Sequence, residues 1–126
     1  MAETNLTILL RTMEPELFAE PYGFAVWGGE LSFRPFATVA EAAGLTVVAP
    51  LAEMRAAGMM SDPWARISLT VHSDLAAVGL TAAFAGALGA EEISCNVIAG
   101  YHHDHLFVQW DRRGDAMAAL RALSRA

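Results

Sequence analysis

The sequence contains only one cysteine among its 126 residues. Cys95 therefore has no partner for a disulfide within the chain, which excludes a disulfide-stapled secreted scaffold. The chain also lacks an N-terminal segment in which basic residues precede an apolar run, as a secretory signal requires. Together these two features predict a cytoplasmic protein.

Basic residues are scarce as well, with 8 Lys and Arg against 14 Asp and Glu and a formal net charge of −6. The sequence as a whole therefore has no basic footprint for nucleic acid or for an anionic membrane surface. Its longest uncharged stretch, residues 75–90, is too short to span a bilayer and contains several glycines. We expect neither nucleic acid nor membrane among its partners.

Recognisable catalytic motifs are missing too. Gly28 and Gly29 are too few and too poorly placed for a phosphate-binding loop, and no nucleophile elbow or H-E-x-x-H pattern occurs. We therefore predict that the protein is not an enzyme and binds no cofactor.

The first half of the chain reads as short strands and one helix. Residues 6–13 alternate well enough for a strand, residues 14–21 form a turn, and residues 22–27 and 45–49 are rich in aromatic and β-branched side chains typical of strands. Residues 30–44 are ambiguous. Pro50 suits the first turn of a short helix in LAEMRAA, and Gly58 suits the left-handed position after it.

The second half has a clearer pattern. Residues 66–72 alternate with period two, residues 78–88 carry a helical stripe that Gly89 can close, and residues 93–99 and 105–110 are again strand-like. Asp115 then opens a terminal amphipathic helix. The order β-α-β-β-α is a ferredoxin-like unit without its last strand, so we predict an α+β fold of two tandem βαββαβ-type modules, residues 1–63 being degenerate and residues 64–126 regular.

Specific stretches resemble a known family. SLTVHSDLAAVGLTAAFAGAL followed by ISCNVIAGYHHDHLFV is similar to the second half of small bacterial tandem ACT-domain proteins, and GLTVVAP resembles the close of their first half. The arrangement is more distantly similar to the ACT pairs of aspartate kinases and of cytosolic arginine sensors. This resemblance implies a ferredoxin-like fold and small-molecule binding, often of amino acids, at the loop between the first strand and first helix of a module, where it meets another module.

That loop, residues 72–80, is chemically suited to a ligand. Free N–H groups at a helix start attract anions, Gly79 lets a ligand approach the backbone, and Asp74 can pair with an ammonium group. Alternatively, Ser73 or Asp74 only caps the helix and Gly79 only packs on the sheet. The full predicted ligand set is Ser73, Asp74, Val78, Gly79, Leu80, Asn96, Ile98, Tyr101 and Asp104.

The hairpin GYHHDH raises the question of a metal site. Neighbours in a strand point to opposite faces, so His103 and His105 converge while His102 and Asp104 turn away, which leaves too few ligands for zinc. We therefore expect no metal site. Asp104 instead matches a polar hairpin position of the family and can neutralise a cationic ligand group, whereas mid-strand Asn96 either donates to a ligand or lies on a solvated face.

These features favour a non-enzymatic protein that binds or senses a small molecule, with an amino acid as the expected ligand. The hydrophobic fraction of 55% predicts that part of the apolar surface is covered by a second copy in a homodimer. A structural or protein-interaction module with no physiological ligand is the alternative, and an enzyme that uses the histidines ranks third.

Overall fold

The computed structural model describes residues 5–70 and 78–125. Four α-helices and seven strands occur in this part of the chain, together with one 3-10 turn at Trp110–Arg112. In chain order they are α1 (Leu6–Thr12), β1 (Pro15–Leu17), β2 (Tyr22–Trp27), β3 (Ala37–Glu41), β4 (Gly44–Pro50), α2 (Leu51–Ala56), β5 (Trp64–Leu69), α3 (Leu80–Ala90), β6 (Asn96–Ala99), β7 (Asp104–Gln109) and α4 (Arg113–Arg125).

The chain packs into two compact units, of which one comprises Met1–Phe18 with Ala65–Ala126 and the other Ala19–Trp64. In the larger unit, β5 lies between β1 and β7, and β6 pairs with β7 in antiparallel register. In the smaller unit, β4 lies between β2 and β3, and both pairings are antiparallel. The predicted α+β class is thus confirmed for the described residues.

Strand β5 sets up the two faces of the larger unit's sheet. Because side chains alternate along a strand, its buried Ala65, Ile67 and Leu69 lie on one face while Arg66 and Ser68 lie on the other. Ala65, Ile67 and Leu69 belong to a core that β5 shares with the helices and with the neighbouring strand. The other buried residues of this core are Leu9, Met13, Leu80, Phe84, Leu88, Ile93, Leu106, Val108, Ala116, Met117 and Leu120. Full burial of one such large side chain stabilises the fold by about 1.5–3 kcal/mol.

The smaller unit has its own, more modest core. Val47 and Ala49 of β4 pack with Met54 and Met59. Gly58 has a φ of +84° and follows the short helix α2, as its position in the sequence predicted.

The prediction of a strand at residues 6–13 is wrong, because this segment forms the helix α1. The Oδ1 atom of Asn5 accepts a hydrogen bond from the backbone N–H of Ile8 at 3.2 Å, which caps the helix. Leu9 and Met13 are buried four residues apart, whereas Ile8 is 46% exposed. The spacing of the buried side chains is therefore helical, and the apparent alternation was coincidental.

Several other boundaries also differ from the prediction. The supposed turn before residue 21 contains strand β1, and the ambiguous residues 30–44 contain strand β3. Pro50 is the N-cap of α2 rather than part of its first turn, and Gly89 lies inside α3 instead of closing it. The strand predicted from residue 93 begins at Asn96. The strands predicted at 22–27, 45–49 and 105–110 and the terminal helix are confirmed within one or two residues.

The predicted division into residues 1–63 and 64–126 concerns modules of the sequence, and it remains a prediction. The compact units are composed differently, because residues up to Phe18 pack in the same unit as the second half of the chain. Hydrogen bonds between β1 and β5, which pair from Pro15 opposite Leu69 to Leu17 opposite Ile67, hold them there.

Two glycines of the α3 region should respond in opposite ways to alanine. Gly79 has a φ of +98°, and a Cβ there would lie 2.9 Å from Cδ2 of Leu6, so Gly79→Ala should lower the free energy of unfolding by about 1–3 kcal/mol. Gly86 lies in the helix with nothing within 4 Å of a Cβ, so Gly86→Ala should raise it by about 0.5–1 kcal/mol. Urea unfolding of both variants tests this, and equal effects would contradict it.

Candidate functional site

An open cavity of about 190 Å³ lies in the larger unit, on the sheet face away from the helical core. Its lining comes from β1, β5 and β7 and the residues that adjoin them. The lining residues are Glu16, Phe18, Arg66, Ser68, Leu69, Thr70, His103 and His105. Glu16 is the cross-strand partner of Ser68, so the two side chains share this face.

A chain of hydrogen bonds joins three of these side chains. The Nε–H of Arg66 donates to Oγ of Ser68 at 3.2 Å, and that Oγ lies 2.7 Å from Nδ1 of His105. The Ser68 hydroxyl keeps its own proton when it accepts from Arg66, so it can donate to the imidazole. Nη2 of Arg66, which can only donate, also lies 3.5 Å from Nδ1.

These contacts favour one tautomer of neutral His105. Because Nη2 of Arg66 can only donate, the contacts are best satisfied when Nδ1 accepts and Nε2 carries the proton of the neutral ring. Burial, followed by the positive charge of Arg66 and then that of His103, lowers the pKa of His105 to about 4. His105 is therefore neutral at physiological pH.

The guanidinium group of Arg66 is fixed from a second side. Its Cζ lies 3.9 Å from the ring centroid of Phe18, whose backbone N–H donates to the carbonyl of Arg66 at 3.0 Å. Such a cation–π contact is worth about 0.5–1 kcal/mol where exposed and more where desolvated. Arg66 thus brings a permanent positive charge to the cavity in a defined orientation.

Of the predicted ligand residues in the strand-to-helix loop, Ser73 and Asp74 lie outside the described residues. Val78 is 82% exposed just before α3, whereas the side chain of Leu80 is buried in the core. Gly79 is the left-handed N-cap of α3 and packs against Leu6, which explains a glycine there without a ligand. Its role in ligand approach remains a prediction.

The other predicted residues lie on or near the β6–β7 hairpin. Ile98 is the cross-strand partner of His105, which places both on the cavity face. Asn96 is exposed, and its Nδ2 donates to the carbonyl of Phe107 at 3.3 Å, so the amide has a role within the hairpin. Tyr101 is 76% exposed and packs edge-on against His102.

Asp104 begins β7 and is partly buried. Burial raises the pKa of its carboxyl group above the ordinary value, and the charge of His103 partly opposes this. A raised pKa means that the surroundings under-stabilise the negative charge. A cationic group placed against Asp104 would restore that stabilisation.

His103 and His105 line the same cavity, so the predicted convergence of these two side chains is confirmed. Within residues 5–70 and 78–125, no group of three His, Cys, Asp or Glu side chains is arranged to hold a metal ion. Cys95 packs against the core, and burial raises the pKa of its thiol, which keeps it protonated.

Sequence reasoning did not assign a binding role to the cavity residues Glu16, Phe18, Arg66 and Ser68. The alternation of residues 66–72 was recognised, and extending its polar face to Arg66 would have provided a signal. The contributions of Glu16 and Phe18 had no such signal, because strand β1 itself was interpreted as a turn.

Two family models, each described as an ACT domain, match residues 1–66 and residues 60–122. The chain belongs to the ACT domain family. The resemblance to tandem ACT proteins is thereby confirmed, and the α+β units are consistent with two ferredoxin-like modules. A comparison with curated proteins found no match.

Solved structures give a similar result. A crystal structure from Vibrio cholerae, described as a protein of unknown function and possible transport protein, is 45% identical, with a TM-score of 0.83 over 94% of this chain and 95% of its own. A protein from Agrobacterium tumefaciens is 14% identical, with a TM-score of 0.73 and 89% of both chains covered. The regulatory subunit of aspartate kinase from Thermus thermophilus is 7% identical, with a TM-score of 0.61 over 89% of this chain and 98% of its own. The last two establish similarity of fold alone.

ACT domains are in general regulatory modules that bind small molecules, often amino acids, and that oligomerise. They are regulatory rather than catalytic. Among the described residues, no helix combines the length and the apolar character needed to cross a membrane.

In this ACT protein, Ser68 and His105 are as close as a nucleophile and its general base. Their environment does not suit that chemistry. The serine oxygen already accepts a hydrogen bond from Arg66, and the side chain is nearly buried. A histidine with a pKa of about 4 is also a poor base at neutral pH. The pair therefore fits a positioning role better than a catalytic one.

The protonation of His105 can be measured directly. In an NMR titration its ring should titrate near pH 4, and Arg66→Gln should raise this pKa because a positive neighbour is removed. Arg121→Gln, on the exposed side of α4, removes the same charge and serves as the control. A wild-type pKa near 6.5 would contradict the assignment.

The same pKa predicts a loss of stability in acid. Unfolded histidine titrates near 6.5, and the folded pKa of His105 is lowered to about 4. The stability contributed by neutral His105 is therefore present above pH 6.5 and decreases as the pH falls toward 4, because the unfolded state binds the proton first. Urea unfolding at pH 7 and pH 5 should show a smaller decrease in His105→Gln than in the wild type or in the exposed-loop control His102→Gln. An equal decrease in all three would refute this.

Proposed function

We propose that this ACT protein is a non-enzymatic regulatory protein that binds an amino acid. The observation that carries the proposal is the match of two ACT models that together span residues 1–122. The unsuitable environment of the Ser68–His105 pair supports a role in binding rather than in catalysis.

We assign the ligand to the loop that precedes α3 and to the neighbouring hairpin. The assignment rests on the predicted residues Ser73, Asp74 and Val78–Leu80, together with Asn96, Ile98, Tyr101 and Asp104. The N–H groups at the start of α3 suit the carboxylate of an amino acid. Glycine at the N-cap leaves these groups uncovered by a side chain.

Asp104 is the proposed partner of the ligand's ammonium group. Its carboxyl group has a raised pKa because burial removes hydration from the charged form. An ammonium group at this position would compensate for the lost hydration. Ligand binding should in turn lower the pKa of Asp104, since an opposite charge favours the ionised form.

Regulation would follow from a difference in affinity between two states of the protein. A ligand shifts an equilibrium only as far as it binds one state more tightly than the other. We propose that these states differ in association, with a homodimer of this chain as the ligand-bound form in the cytoplasm. The single Cys95 and the apolar composition motivated both expectations.

A protein-interaction module without a ligand is the second candidate. It is favoured by large apolar side chains at the surface, among which Met60 is 88% and Val78 is 82% exposed. Exposed apolar groups that belong to one patch mark partner surfaces, whereas scattered ones need no explanation.

A thermal-shift screen against the twenty amino acids tests the proposal. A ligand at one hundred times its Kd adds about 2.7 kcal/mol of stability, and for a domain of this size that raises the Tm by several degrees. We expect one amino acid or a related group of them to do so. Asp104→Asn should abolish the shift, because it removes the charge that pairs with the ammonium group.

Asp111→Asn provides the matched control, since it makes the same chemical change at an exposed residue of the 3-10 turn. It should retain the wild-type shift. A flat response of the wild type to every amino acid at millimolar concentration would disprove amino-acid binding and favour the interaction module.

A further inference from the structure

None of the residues that line the cavity of about 190 Å³ belongs to the proposed amino-acid site, although Ile98 of that site lies on the same face of the sheet. Its polar wall faces away from the helical core, since Arg66, Ser68 and His105 lie on the opposite face of the sheet from Ile67 and Leu106. The cavity is therefore a candidate for a second binding site.

Its electrostatic character is set by Arg66. The guanidinium group is positive at every physiological pH, and His105 stays neutral beside it. The stacking on Phe18 and the bond to Ser68 hold the guanidinium plane in one orientation, so little side-chain entropy remains to be lost when a ligand binds. A fixed guanidinium group is suited to two parallel hydrogen bonds with a carboxylate.

The neighbouring imidazole does not oppose an anion. Nδ1 of His105 is occupied by Ser68, and the ring is neutral at physiological pH, so it adds no negative charge to the cavity. The donors for an anionic ligand therefore come from Arg66.

The acidic residue of the lining limits the choice of anion. The open cavity has room for a short-chain acid. Glu16, exposed on β1, adds a negative charge that disfavours a second negative charge on the ligand. A monocarboxylate is therefore favoured over a dicarboxylate or phosphate.

We propose that the cavity formed by Glu16, Phe18, Arg66, Ser68 and His105 is a binding site for a short-chain monocarboxylate, whose carboxylate group pairs with Arg66. This proposal does not rest on the amino-acid site, and either site can be present without the other.

Titration of the full chain with sodium propionate tests the proposal. The NMR shift of the His105 ring is followed while sodium chloride keeps the ionic strength constant, and propionamide is the neutral control. We expect saturable binding with a Kd on the order of 1–10 mM and no saturable effect of propionamide. A linear response to about 100 mM propionate, or an equal response to propionamide, would overturn the proposal.

Charge variants on both sides of the cavity identify the contacts. Arg66→Met should abolish saturable binding, and Arg66→Lys should weaken it because the ammonium group cannot form the paired hydrogen bonds. Glu16→Gln should strengthen propionate binding by about threefold, since it removes a nearby negative charge from an exposed position. Succinate should bind the wild type more weakly than propionate does. In Glu16→Gln the two affinities should become similar, because the negative charge that repels the second carboxylate is removed.

The two sites are tested separately, because propionate binding is followed at the His105 ring and amino-acid binding by thermal shift. Asp111→Asn removes a negative charge outside the cavity lining and should leave propionate binding within about twofold of the wild type. If Arg66→Met does not fold, the exposed variant Glu16→Gln still decides the matter. An unchanged or weaker affinity for propionate in Glu16→Gln would refute the proposed charge pairing.

Discussion

The alternation of side chains along β5 is the constraint on which the larger unit depends. One set of its residues closes the core against the helices, and the intervening set, which includes Arg66 and Ser68, forms the wall of the cavity. A shift of the strand by one residue would exchange these two sets, burying a guanidinium group and exposing Ile67 and Leu69. The stability of the core therefore keeps the polar face in register, and the cavity is a consequence of the packing on the other side of the sheet.

Within that face, three side chains act as a unit. Arg66 supplies the positive charge. Ser68 accepts a hydrogen bond from Arg66 and links it to Nδ1 of His105, which stays neutral. The same arrangement that makes Ser68 a poor nucleophile holds the guanidinium donors of Arg66 in place. ACT domains are in general regulatory rather than catalytic, and the environment of Ser68 does not suit a nucleophile.

The sequence revealed those features that depend on local periodicity. The alternation from residue 66, which β5 follows as far as Leu69, and the terminal helix were predicted because each pattern repeats over several residues and has one interpretation. Residues 6–13 were assigned to the wrong element because Leu6, Ile8 and Leu10 alternate, while the helical spacing of Leu9 and Met13 is equally present. The stacking of Arg66 on Phe18 and the protonation of His105 depend on which strands become neighbours, and no short-range pattern specifies that pairing.

The central claim is that this ACT protein holds an amino acid where α3 begins and beside the β6–β7 hairpin. The most direct test is to compare amide ¹H–¹⁵N NMR spectra of the protein with and without an equimolar mixture of the twenty amino acids at millimolar concentration. We expect amide chemical-shift changes concentrated at Val78, Gly79, Leu80 and the hairpin residues from Gly100 to Asp104. Spectra without saturable changes, or changes confined to the smaller unit Ala19–Trp64, would contradict it.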